Sequence, residues 1–92
     1  MLMAHRTRAL LVRQRTMVAN ALRAHLAEFG LVANPGIGNL VRLAERAFAE
    51  EELPAFARAA LESLIRRLAE LTEEIGALDR ELRAWHAENP AS

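Results

Sequence analysis

The feature that most constrains this chain is a run of apolar residues with heptad spacing in its last third. Successive members are three and four residues apart, which keeps one narrow apolar stripe on one side of a helix. A β-strand alternates with period two and does not produce this spacing. We therefore predict a long helix that packs along another helix. We call these residues the leucine seam: Leu61, Leu64, Leu68, Leu71, Ile75, Leu78, Leu82 and Trp85.

Length and composition favour an all-α chain. The 92 residues suffice for one small domain but leave little apolar area to bury. Alanine supplies much of the 52% hydrophobic content and favours helices over cores. We therefore predict one helical domain over residues 1–92 that associates into oligomers through the leucine seam.

Composition also argues against several classes of protein. The chain has no cysteine, so it cannot form disulfides or thiolate metal sites. No apolar run approaches the roughly 20 residues that span a bilayer. Arginines interrupt the first fifteen residues, unlike a secretory signal. We predict a cytoplasmic protein without a membrane partner.

The side chains that most often carry chemistry are not grouped. His5, His25 and His86 lack the i, i+4 spacing of a helical metal site. Ser63 has no nearby His or Lys to act as its base, and the carboxylates follow helix-surface spacing. We therefore predict no catalytic residues, metal, cofactor or small-molecule substrate, and no enzyme activity for this chain by itself.

Turn and capping residues divide the chain into three helices. The first should cover about 5–28, with Gly30 as the residue after its end. The second should cover about 40–49 with Asn39 as N-cap, and the third about 54–86. Glu50, Glu51 and Glu52 are predicted to be the acidic lead-in to the third helix, and Asn89 and Pro90 are predicted to end it. The predicted buried faces are Leu11, Val18, Leu22, Leu26 and Phe29 in the first helix, and Leu40, Leu43, Ala44 and Ala47 in the second.

Charge is distributed unevenly although the net charge is zero. Residues 1–26 contain five arginines and no acid, whereas the third helix carries most of the acids in its second half. Packing the first helix antiparallel on the third would join opposite charges, so we predict an antiparallel hairpin. The basic face is either solvated, or paired with the third helix, or bound to a nucleic-acid backbone. The candidate nucleic-acid contacts are Arg6, Arg8, Arg13, Arg15, Asn20 and Arg23.

The connection after the first helix contains a second candidate anion site. Its sequence Pro35-Gly36-Ile37-Gly38 resembles the turn of a helix-hairpin-helix, whose glycine N–H groups bind a DNA phosphate. The five-residue gap after Gly30 is too long for a tight hairpin. A plain glycine turn is therefore the favoured interpretation.

Several stretches resemble the middle section of insertion-sequence transposases of the IS-one-ten family. They are Leu11-Val12-Arg13-Gln14-Arg15-Thr16, the segment 20–30, Gly36-Ile37-Gly38-Asn39-Leu40, and the segment 78–86. The resemblance covers nearly the whole chain from about residue 5. In that family, a RuvC-like domain with four acidic metal ligands precedes this section, and a domain with a catalytic serine follows it. The middle section is a helical coiled-coil connector, and the complexes carry guide RNA and DNA.

The resemblance implies a connector without either catalytic half. No residue of this chain matches the metal-binding acids or the serine, so neither role carries over. We therefore predict a non-catalytic connector of a transposase that mediates subunit assembly in DNA transposition and contacts RNA or DNA through its first helix. The alternative is a stand-alone coiled-coil interaction module without a nucleic-acid partner.

Overall fold

Three α-helices make up the fold. The computed structural model describes residues 2–50 and 53–89, and it contains no β-strand over these residues. The helices are α1 (Leu2–Glu28), α2 (Ile37–Phe48) and α3 (Ala55–Glu88). The all-α prediction is confirmed, and each helix lies close to its predicted position. The predictions for Glu51, Glu52 and Pro90 fall outside the described residues.

Helix α1 ends where the sequence predicts. Gly30 has a φ of 77°, a backbone conformation that residues with a Cβ rarely adopt. Its N–H donates to the carbonyl of Ala27 at 2.9 Å, and the Leu31 N–H donates to the carbonyl of Leu26 at 3.0 Å. This pair of bonds is the Schellman arrangement, which satisfies carbonyls that the helix end would otherwise leave unpaired.

The predicted N-cap of α2 is wrong. The cap is Gly36, with a φ of 107°, and the helix begins at Ile37, three residues before the predicted start. Asn39 lies in the first turn, and its Nδ2 donates to the carbonyl of Pro35 at 2.9 Å. The positive φ at Gly36 turns the chain early, so that the Leu40 N–H reaches the Gly36 carbonyl at 3.2 Å.

Arg58 connects the first turn of α3 to the end of α2. Its Nη1 donates to the carbonyl of Phe48, and its Nη2 donates to the carbonyl of Glu50 at 2.7 Å. The guanidinium also lies over the Phe48 ring, 4.8 Å from the centroid. Arginine is suited to this position because its planar group can donate to two carbonyls and stack on an aromatic face.

The core lies where the three helices meet. Helices α1 and α3 share the most extensive contact, and α2 packs against both. The predicted faces of α1 and α2 are buried except at Leu11, Val18 and Leu43, which are half-buried, and at Phe29, which is exposed. Phe29 differs because α1 ends one residue before it. The buried cluster consists of Ala19, Leu22, Leu26, Leu40, Ala44, Ala47, Leu61 and Leu68.

Contacts between α1 and α3 occur near both ends of the pair. The rings of His5 and His86 are 6.4 Å apart between centroids. Toward the other end, His25 of α1 and Phe56 of α3 line one small cavity. The fold is elongated, with principal extents of 57 × 21 × 16 Å. None of the helices in the described part of the chain has an apolar stretch long enough to cross a membrane.

Candidate nucleic-acid interface and helix surfaces

The leucine seam faces the interior of a single chain. Five of its eight residues have side chains no more than 8% exposed: Leu61, Leu68, Leu71, Ile75 and Leu82. The other three, Leu64, Leu78 and Trp85, are half-buried. Helix α1 supplies much of the cover, because α1 and α3 form the largest contact in the fold. The seam's predicted role between subunits stays a prediction.

Arg8 and Arg15 are turned toward α3. They are seven residues apart and Leu22 follows after seven more, so all three lie on nearly the same side of α1. Leu22 is fully buried, whereas Arg8 and Arg15 are half-buried at the helix boundary. These two candidate contacts therefore lie at the boundary between α3 and solvent.

Arg8 and Asp79 form an ion pair between the two long helices. The Arg8 Nε donates to Oδ1 of Asp79 at 2.6 Å, and Nη2 donates to Oδ2 at 3.4 Å. The hydrogen bond from Arg8 lowers the pKa of Asp79, and the positive charges of Arg83 and Arg15 act in the same direction. Asp79 in turn raises the pKa of Arg8.

This ion pair influences helix alignment more than stability. The side chains of Arg8 and Asp79 are 42% and 31% exposed, so water screens their attraction. Exposed pairs of this kind contribute little to the free energy of folding. The predicted joining of opposite charges between the first and third helices does occur at this one position among residues 2–50 and 53–89.

Arg6, Arg13 and Asn20 lie on the outer side of α1. They are again seven residues apart, and all three are exposed. Arg23 is half-buried at the border of this side. Within the described ranges, none of these four side chains takes part in a hydrogen bond or an ion pair. The structure thus separates the six candidates into an inner pair and an outer group.

Several other charged residues of α3 pair within that helix. Arg67 lies 3.2 Å from Glu70 and 3.6 Å from Glu74, and Arg80 lies 3.3 Å from Glu73. These pairs within α3 occupy some of the acids that we expected, from the sequence, to contact α1. The outer arginines of α1 also have no acidic residue on their own helix before Glu28.

Sequence reasoning missed the apolar residues beside the outer arginines. Met3, Leu10 and Met17 are 80%, 45% and 70% exposed on the same side of α1. Their spacing of seven residues is the signal that could have identified them. The stronger stripe around Leu22 concealed it, because both patterns occupy one helix.

The remaining candidate sites have simple surroundings. Gly36 and Gly38 begin α2, where Arg42 Nη2 donates to Oδ1 of Asn39 at 2.6 Å. His5 and His86 approach each other, but the described residues contain no group of three or more His, Cys, Asp or Glu side chains placed to hold a metal ion. Neither finding tests phosphate binding at the glycine turn.

Two curated proteins are similar to this chain, and both are described as transposases. One, y4pF/y4sB of Sinorhizobium fredii, is 36% identical over 82 residues, which are 89% of this chain and 21% of that protein. The other belongs to insertion sequence element IS1328 of Yersinia enterocolitica. It is 38% identical over 79 residues, which are 86% of this chain and 23% of that protein.

These similarities concern a small part of each relative. The chain spans about a fifth of the length of the curated relatives it matches. No protein-family model matches the chain, and no solved structure matches it. The assignment to the IS-one-ten family stays a prediction. The resemblance to transposases that the sequence motifs indicate is confirmed, and it extends over most of this chain.

Proposed function

We propose that this chain is a non-catalytic helical connector of a transposase, in which α1 and α3 form an antiparallel hairpin that helps subunits assemble. The observation that carries the proposal is the similarity of nearly nine tenths of the chain to about a fifth of two transposases. The matched segment is a minor part of each of these two transposases. The described residues of this segment form helices with a continuous apolar core, as a connector requires.

The contacts between the long helices support the antiparallel orientation. Arg8 near the start of α1 pairs with Asp79 near the end of α3. His25 near the end of α1 shares a cavity with Phe56 near the start of α3. A rigid pair of this kind holds its two ends a fixed distance apart, which is what a connector between larger domains must do.

We further propose that the outer side of α1 contacts an RNA or DNA backbone. The contacts would come from Arg6, Arg13, Asn20 and Arg23, which are not engaged by α3. Arginine suits phosphate because its planar group donates two parallel hydrogen bonds. Arg8 and Arg15 contribute less in this proposal, because Asp79 already attracts both.

The salt dependence of binding tests the nucleic-acid contact. We expect the chain to bind a fluorescent single-stranded RNA or a DNA duplex. The affinity should fall steeply between about 50 and about 200 mM salt. Replacing Arg6, Arg13 and Arg23 by Ala should reduce the slope of log K against log salt by about two to three, because each phosphate contact contributes about 0.7–0.9.

The matched control removes the same charge from another helix. Replacing Arg67, Arg80 and Arg83 of α3 by Ala changes the net charge equally but leaves the outer side of α1 intact. We expect the control to keep most of the wild-type salt slope. Equal losses in both triple variants would contradict a contact through the outer side of α1. No binding by the wild type would favour a stand-alone coiled-coil module without a nucleic-acid partner.

A further inference from the structure

The outer side of α1 is a heptad-spaced surface in its own right. Its residues follow one another at intervals of three and four, like those of a helix seam. Its apolar members are exposed by 45–80%, and its arginines form no ion pair within the described ranges. We call this set the outer stripe: Met3, Arg6, Leu10, Arg13, Met17 and Asn20.

Nucleic acid explains only half of the outer stripe. Phosphates account for arginines and for Asn20, but they give no reason for large apolar residues between them. A helix partner explains both, because apolar side chains enter its surface while charged ones pair at the margin. The stripe therefore fits a protein surface with an apolar floor and acidic walls.

Such a surface exists on the same chain, between α2 and α3. Its groove has a volume of about 300 Å³, and Phe48 and Ile65 form the apolar part of the lining. The charged part of the lining consists of Glu45 from α2 and of Glu62 and Arg66 from α3. Neither Glu45 nor Glu62 forms an ion pair within the described ranges. Two carboxylates and one guanidinium line the groove, so its excess charge is negative and favours an incoming cation.

We propose that the outer stripe of one copy docks in the α2–α3 groove of a second copy. Leu10 and Met17 would contact Phe48 and Ile65, and Arg13 would pair with Glu62 or Glu45. Helix α2 has 12 residues and is about 18 Å long, which is enough to lie along the part of the stripe from Leu10 to Met17.

Two other described surfaces fit the stripe less well. Two outer stripes facing each other would bring arginine against arginine. The outer side of α3 offers acids, but Glu70, Glu73 and Glu74 already pair with arginines of their own helix. The other residues on that side of α3, such as Ala77 and Ala84, have side chains too small to pack against Leu10 or Met17.

The contact joins two different surfaces, so each copy carries one stripe and one groove. Such heterologous contacts either close into a ring or continue into longer chains. The area involved is small, so we expect weak association that appears as concentration rises. This inference does not rest on the nucleic-acid proposal, although both use Arg13.

Charge reversal and mixing test the proposed contact by sedimentation velocity. We expect the wild type to increase in mass with concentration, and this increase to weaken at high salt. Arg13→Glu alone and Glu62→Arg alone should each lower the association constant about tenfold or more, because each variant faces like charge across the contact. Met17→Gln should weaken it without changing charge.

The mixture of the two variants is the decisive sample. Glu62→Arg keeps a wild-type stripe, and Arg13→Glu keeps a wild-type groove, so one contact between unlike copies is the wild-type pair. The other contact joins the same two charges in exchanged positions, so it is attractive as well. We therefore expect the mixture to regain the concentration-dependent increase in mass above 10.2 kDa that each variant alone loses. Circular dichroism should show unchanged helix content, because both residues are exposed. Arg83→Glu is the control for charge reversal and should associate like the wild type.

Three outcomes would overturn the inference: a wild type that stays monomeric at millimolar concentration, single variants that associate normally, or a mixture that stays monomeric. The nucleic-acid proposal is judged separately. Glu62→Arg should lose self-association but retain RNA or DNA binding, whereas Arg13→Glu should lose self-association and also bind RNA or DNA more weakly.

Discussion

At the scale of single residues, Arg8 shows how tertiary structure changes the role of a charge. In the sequence it is one of five arginines in an acid-free segment. In the fold it donates to Asp79 from Nε and Nη2, at 2.6 and 3.4 Å. An arginine held in this way is less available to an external anion than Arg13, which lies on the opposite side of the same helix.

The ion pair predicts a specific pH dependence. Arg8 lowers the pKa of Asp79 in the folded chain below the ordinary value of 3.8. The stabilisation that follows is fully present above that ordinary value and is lost as pH falls through the lowered pKa. A carboxyl-carbon NMR titration should show Asp79 titrating below its usual range, and Arg8→Gln should raise its pKa.

Arg80→Gln serves as the control for this titration. Arg80 pairs with Glu73 and forms no hydrogen bond with Asp79, so the Asp79 midpoint should move much less than in Arg8→Gln. If Arg8→Gln also leaves the Asp79 midpoint unchanged, the ion pair is not formed in solution.

At the scale of helices, two glycines have opposite roles. Gly30 stops α1 with a φ of 77°, which an L side chain rarely tolerates. Gly76 lies inside α3, where a Cβ would meet only Nη1 of Arg80, at an ordinary contact distance of 3.5 Å. The first glycine is required by its backbone conformation, whereas the second only weakens its helix.

Replacing each glycine by Ala should therefore change stability in opposite directions. Gly30→Ala should lower the free energy of unfolding by about 1–2 kcal/mol through strain in the left-handed conformation. Gly76→Ala should raise it by about 1 kcal/mol, because Ala has the higher helix propensity. Urea unfolding followed by circular dichroism measures both. Changes of the same sign would contradict the assignment of Gly30 as the residue after α1.

At the scale of the whole molecule, the chain is a rod with its seam enclosed. The Cα radius of gyration is 16.6 Å, whereas a compact chain of this length would have about 12 Å. The rod shape follows from two long helices side by side with only the short α2 to widen one part. The apolar seam nevertheless has a partner, because α1 lies along it.

Small-angle X-ray scattering of dilute protein tests this enclosed monomer. We expect the mass of one 10.2 kDa chain and a radius of gyration of about 17 Å, slightly above the Cα value. The reason is that Leu68 and Leu71 are already buried in one chain, so no second chain is needed to bury them. A doubled mass at the lowest concentration would show instead that the seams of two chains pack together.

The outer stripe adds an expectation at the same scale. Association should appear only as concentration rises, because the proposed contact is small and is made between surfaces that are complete in the monomer. If the mass rises with concentration and α1 still covers the leucine seam, the chains assemble through the outer stripe and not through the leucine seam.

Local features of the chain were determined by the sequence by itself. The spacing from Leu61 to Trp85 specifies a long helix, because only a helical period places those residues on one side. Gly30 specifies the end of α1, because few other residues adopt its backbone conformation. The faces containing Leu22, Leu26, Leu40 and Ala44 follow from the same periodicity.

Only the tertiary structure decided which surfaces meet. A heptad seam requires a partner helix, but a helix of the same chain and one of another chain satisfy it equally well. The count of arginines in α1 is readable from the sequence, yet their division into an inner pair and an outer group depends on how α1 is rotated against α3. That rotation is set by the simultaneous burial of side chains from three helices, which no local pattern contains.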